Sequence, residues 1–153
     1  MEVAFYQLTT TPIEKTLPKL LEKAYSSNQR VVVVIDSQER LELLNSVLWT
    51  YSTNAFLPHG SAADAPDTHS RQPIWLTTKI ENPNQASVII STSGILIDPS
   101  YGFSRCLDVF DGNIPDFLSQ ANERYKHYQS LGTPCVYWRQ NMQGAWESIE
   151  KAP

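Results

Sequence analysis

The chain has 153 residues, 41% of them hydrophobic and 18% charged, with a net charge of −4. That length supports a single core over 1–153 without disulfide or metal staples. The acidic balance argues against a broad electrostatic grip on nucleic acid, which needs clustered Lys and Arg, and leaves a local basic patch open.

The longest apolar run, Val31 to Ile35, is far below the roughly 20 residues that cross a bilayer. The opening "MEVAFYQLTTTP" lacks the basic and apolar regions of a secretion signal. A cytoplasmic protein without membrane contact is expected. Cys106 and Cys135 match no CxxC pattern and read as reduced core residues.

"VAFYQL" (3–8) predicts a first strand, and "TTTPIEK" a helix start. Thr11 is expected to cap that helix, Pro12 to take its first position and Glu14 to complete a capping box. Ile13, Leu17, Leu20, Leu21, Ala24 and Tyr25 then recur at helical spacing, with Pro18 predicting a kink or a late start. "RVVVVID" (30–36) is continuously apolar, as a strand buried on both faces is. Asp36 or Ser37 caps a second helix carrying Leu41, Leu44, Val47 and Leu48.

Short strands are expected at "IWLTT" (74–78), "SVIIST" (87–92) and "CLDVF" (106–110). "FDGNIPD" opens a helix with Ile114, Phe117, Leu118, Ala121, Tyr125 and Tyr128 on its apolar face. "CVYWRQ" (135–140) is a closing strand, and the tail "GAWESIEKAP" is weakly patterned. The strand–helix alternation predicts an α/β fold with a mostly parallel sheet and helices on both faces.

Chemistry is sparse. The first strand-to-helix turn, "LTTTPIE", has no glycine, whereas phosphate-binding turns need glycines so that the backbone can approach the phosphates. Neither GxGxxG nor GxxxxGK[ST] occurs, and there is no GxSxG elbow. No cofactor and no metal is expected. His59, His69, Asp64 and Asp67 lie in one polar loop, at a spacing that matches no metal-ligand motif. The enzyme reading is therefore a small α/β enzyme with its site around His59 and Asp64; the other reading is a polar loop without catalytic work.

"FYQL" (5–8), "LWTYSTNAFLPH" (48–59) and "ERYKHYQSLG" (123–132) carry a resemblance. Together they resemble the chi-subunit family of bacterial DNA polymerase III over nearly the whole chain. The F-x-P-H following a helix-ending L-W, combined with E-R-Y-K, is the specific part.

The resemblance implies a three-layer Rossmann-like fold lacking a nucleotide-binding motif, and an accessory subunit without catalytic activity. It implies an adaptor of the clamp loader that grips the acidic C-terminal tail of single-stranded-DNA-binding protein. Another face would hold the small psi subunit or, in some bacteria, a DNA-repair helicase.

By the same resemblance, Glu123, Arg124, Tyr125 and Lys126 lie on the tail-binding helix. Lys126 is the first charged contact, Arg124 the second and Tyr125 an apolar wall; the alternative is a core Tyr125 and solvated bases. Asn122 and Gln129 stand where better-known members carry further bases, with Arg139 available as a substitute. Trp49 and Phe56 map onto the anchors for psi or the helicase, with a core position as the alternative for Trp49. His59 is expected to fix the loop entry by a backbone hydrogen bond, with Pro58 setting the turn.

Overall fold

β1 (Glu2–Leu8) runs through the middle of the molecule, and both its faces bury apolar side chains. The structure is a computed structural model, and it describes residues 1–50, 57–64 and 66–149. α1 (Ile13–Ser26) follows, then β2 (Val31–Val34), α2 (Gln38–Thr50), β3 (Gly60–Ser61) and a 3-10 turn at Pro66–Arg71. β4 (Ile74–Thr77), β5 (Val88–Ser91), β6 (Arg105–Asp111), α3 (Pro115–Ser130), β7 (Cys135–Gln140) and β8 (Trp146–Ile149) complete the order.

Among the described residues the strands form one sheet in the order β3-β4-β2-β5-β6-β1-β7-β8. Every pairing is parallel except the β7–β8 hairpin. The valines of β2 are buried on both faces, as the unbroken run requires. Leu17 and Leu21 of α1 pack with Leu41, Leu44 and Leu48 of α2 on one face. Ala121, Tyr125 and Tyr128 of α3 cover the other, where Phe5 meets Tyr125 edge-on and stacks on Tyr137. Helices on both faces of a mostly parallel sheet give the three-layer Rossmann-like architecture.

Several local expectations are corrected. α1 starts at Ile13, ahead of the buried Pro18, so the late start at that proline does not occur. Its cap residue is Pro12, in extended conformation and without a side-chain cap bond. The Thr11 hydroxyl faces that of Thr16 at 2.8 Å, and Glu14 pairs with Arg40 instead of closing a capping box.

For α2 the cap is Ser37, whose Oγ accepts from the Arg40 amide at 3.2 Å. On α3, Ile114 and Phe117 leave the apolar stripe and are 39% and 45% exposed, while Arg124 is buried in their stead. The first part of the weakly patterned tail forms β8, and residues 150–153 lie outside the described residues. Asn141 Oδ1 accepts from the amides of Gln143 and Ala145, and Gly144 adopts a φ of +82°, which turns the chain back into β8.

Cys106 is buried and Cys135 half-buried, and both are free. Both pair in register with Val3, from opposite sides of β1. Two strand spacings, roughly 9–10 Å, separate them, beyond disulfide reach.

Candidate protein-docking site

α3 places the four residues of E-R-Y-K in two environments. Glu123 and Lys126 are exposed; Arg124 and Tyr125 are 7% accessible each. The Arg124 guanidinium reaches across to β6, where Nε donates to Asp108 Oδ2 at 2.7 Å and Nη2 to Oδ1 at 3.0 Å. Nη1 makes a longer contact of 3.4 Å with the Gly94 carbonyl.

Arg124 is thus an interior residue, not the surface base that the sequence suggests, because Asp108 sits on the buried face of β6 directly below it. Tyr125 is likewise packed inward, against Phe5 and Tyr137. Asp108 was missed by sequence reasoning. Its signal was a carboxylate inside the apolar run "CLDVF", which demands a buried partner.

Lys126 has no carboxylate within ion-pair distance among the described residues. Asn122 is half-buried and Gln129 exposed on the same helix. Arg139 of β7 is exposed and lies near Tyr137, on the α3 face of the sheet, with Glu147 of β8 opposite it in register.

The second group lies at the end of α2. The helix buries Leu41, Leu44 and Leu48, which leaves Trp49 on its outer side, 55% exposed. Of the two readings of Trp49, a core position is therefore set aside. Its ring centroid is 5.1 Å from that of His59. Phe56 lies outside the described residues.

His59 holds the loop entry as expected. Nδ1 donates to the Leu57 carbonyl at 2.6 Å, while Nε2 lies 2.8 Å from Asn45 Oδ1. Asp64 Oδ2 accepts from the Ser61 amide at 2.8 Å, and His69 Nε2 donates to the Asp64 carbonyl. His59, Asp64 and His69 each have a local structural partner, and no group of three potential metal ligands occurs among the described residues.

The β1-to-α1 turn explains the missing glycines from the other side. The amides of Thr9, Thr10 and Thr11 all donate to Gln140 Oε1, at 3.1, 3.0 and 3.1 Å. In nucleotide-binding α/β folds the amides of this turn cradle a phosphate. Here a side-chain oxygen from β7 occupies them. Sequence reasoning missed Gln140, since its partners lie about 130 residues away.

Residues 1–135 match the family model described as DNA polymerase III chi subunit, HolC. The chain belongs to the DNA polymerase III chi subunit family. It is 37% identical over 153 residues to the "Probable DNA polymerase III subunit chi" of Rickettsia prowazekii, covering 97% of this chain and 92% of that protein. Identity to the DNA polymerase III subunit chi of Haemophilus influenzae is 27%, over 84% of this chain and 90% of that protein. The Escherichia coli subunit chi is 24% identical, over 78% of this chain and 80% of its own.

In fold, the chi-family chain is similar to the C-terminal domain of S. cerevisiae Dbp5, with a TM-score of 0.56 at 8% identity, over 90% of each chain. That likeness concerns architecture alone. The family match stops at Cys135, so the rest of β7, with Gln140, and all of β8 lie beyond it.

Proposed function

We propose that this chi-family chain is a non-catalytic adaptor of the DNA polymerase III clamp loader, a single α/β domain acting in the cytoplasm. It binds the acidic C-terminal tail of single-stranded-DNA-binding protein through α3 and a second protein through the end of α2. The second protein is the psi subunit, or a DNA-repair helicase on the same surface. No nucleotide, metal or other cofactor takes part, and nucleic acid is reached through the tail's owner.

The observation that carries this reading is the placement of Lys126 and Trp49. The helices that bear them cover opposite faces of the sheet. An adaptor needs two partners to dock without collision, and a rigid sheet between the two helices keeps the sites apart. An exposed base suits a tail of carboxylates. An exposed indole suits a protein interface, where Trp is enriched among the residues that dominate affinity. Arg124, held by Asp108, supports the helix from below and leaves Lys126 as the principal charge, with Arg139 as an auxiliary.

The test is simultaneous binding. The full chain is mixed with a fluorescent peptide copying the organism's own tail sequence, and the psi-like or helicase partner is added. A ternary complex, with the tail signal retained, is expected. Mutual displacement of the two partners would refute the opposite-face arrangement, and failure of the tail to bind at all would refute the adaptor assignment.

A further inference from the structure

A cleft of about 330 Å³ opens at the carboxyl ends of β1 and β6. Its position follows from the topology. β1 and β6 are neighbours, yet α1 leaves β1 for one face and α3 leaves β6 for the other. Such a reversal opens the crevice in which α/β folds bind ligands. Leu8, Val109 and Phe110 line the cleft, together with Ile13 of α1, Arg40 of α2 and Phe117 of α3. Neither Lys126 nor Trp49 does.

Two features define the occupant. The first is apolar exposure: Ile114 and Phe117 stand 39% and 45% exposed at the start of α3. The second is charge. Glu14, Asp36 and Asp111 line the cleft against Arg40 and Arg124, and Arg124 is neutralised by Asp108. That leaves Arg40 alone among three lining carboxylates.

Its contacts are loose: 3.7 Å to Glu14 and 3.4 Å to Asp36, between side chains 36% to 54% exposed. Exposed pairs of this kind contribute little and are readily exchanged. The partial positive charge at the starts of α1 and α3 is already met by Glu14 and Asp116 in their first turns.

We propose that this cleft docks a segment of a partner protein that presents a basic side chain beside an apolar one. The apolar group covers Phe117 and Ile114, and the base enters between Glu14 and Asp36, displacing the Arg40 guanidinium. The site is a third surface, independent of the two assigned above, and an acidic tail would be repelled from it.

Amide NMR of the full chain reads it directly. The probes are acetyl-Leu-Arg-Phe-Lys-amide and its acidic counterpart acetyl-Leu-Glu-Phe-Asp-amide. The basic peptide is expected to move the signals of Ile13, Gly94 and Phe117 with a Kd on the order of 1 mM or tighter. Glu14→Gln and Asp36→Asn should each weaken it by roughly twofold to fivefold. Arg40→Ala should leave it as tight or tighter, because a competing cation is gone. Tighter binding of the acidic peptide, weaker binding in Arg40→Ala, or no movement of those signals would each overturn the proposal.

Discussion

Arg124 of α3 and Asp108 of β6 form a bidentate ion pair beneath the helix, with 8% and 1% of their side chains accessible. Burial pushes the Asp108 carboxyl above its ordinary range, and the guanidinium's hydrogen bonds and charge draw it back. Removing either partner strands the other charge in the interior. Asp108→Ala or Arg124→Ala should cost roughly 3–5 kcal/mol in urea unfolding. The double replacement Asp108→Leu with Arg124→Met should recover most of that loss, since no charge remains buried. Single variants that stay within about 0.5 kcal/mol of the parent would mean that water reaches the pair.

This pair also marks where the sequence stopped being legible. Periodicity placed α3 correctly and found Ala121, Tyr125 and Tyr128 on its core side. It could not assign Arg124, because a base at a core position is intelligible only once its acid on another element is known. The strands read well wherever branched apolar residues run together, as in β2, β4 and β5. β8 did not, because its order comes from the Asn141 turn and from pairing with β7, not from its own pattern. Lys126 and Trp49 were readable as candidates through the family resemblance alone; composition gives no sign of a docking role for either.

Lys126→Ala tests the tail site. The residue is exposed, so its truncation should leave the melting temperature unchanged. Affinity for the acidic tail peptide should fall by about 1 kcal/mol or more, and the loss should shrink as salt rises. Deleting the peptide's terminal Phe should weaken binding comparably. Unchanged affinity in a folded Lys126→Ala protein would move the site off this helix.

Gln140 gathers three amides onto one oxygen. Gln140→Ala should destabilise by about 1–3 kcal/mol, the cost of leaving part-buried donors without an acceptor. Gln140→Glu, which keeps the acceptor oxygen but loses the Nε2 donations to Thr11 Oγ1 and the Gly144 carbonyl, should recover only part of it. The emptied turn in Gln140→Ala is a row of amides suited to an anion, so sulfate should raise its melting temperature more than the parent's. Calorimetry of the parent with ATP and magnesium should show no heat. Micromolar nucleotide binding would contradict the occupied turn.

Alkaline pH should unfold the protein from its core. Burial pushes the Cys106 thiol and the Tyr128 and Tyr137 hydroxyls far above their ordinary values of 9.0 and 10.0. The Tyr137 hydroxyl donates to Gln7 Oε1 at 2.7 Å, and that of Tyr128 accepts from the Ile97 amide. These groups stay neutral when folded and ionise first in the unfolded chain. Their contribution is therefore complete below pH 9.0 and lost as pH rises through the unfolded values toward the raised ones. Melting temperature should be level from pH 7 to 8.5 and fall steeply above about 9 to 10. A flat profile to pH 11 would show that the buried groups carry no such linkage.

Truncating Trp49 or Phe56 tests whether binding at the α2 face separates from folding. Truncating a fully buried ring costs about 3–5 kcal/mol of stability. Truncating an exposed anchor costs little stability yet can remove 2 kcal/mol or more of binding, roughly the hot-spot level. With Trp49 55% exposed on the outer side of α2, Trp49→Ala should melt within a few degrees of the parent. It should still bind the acidic tail and should lose the psi-like or helicase partner. Its ring neighbour His59 keeps its own bonds to Leu57 and Asn45, so the loop entry should survive the change. Phe56→Ala should behave the same way if both rings anchor one partner. The double variant should then lose no more binding than the tighter single loss allows, because rings that fill one pocket do not add. Trp49→Ala protein that folds and keeps that partner would leave the α2 face without a role, and the adaptor reading would rest on α3 alone.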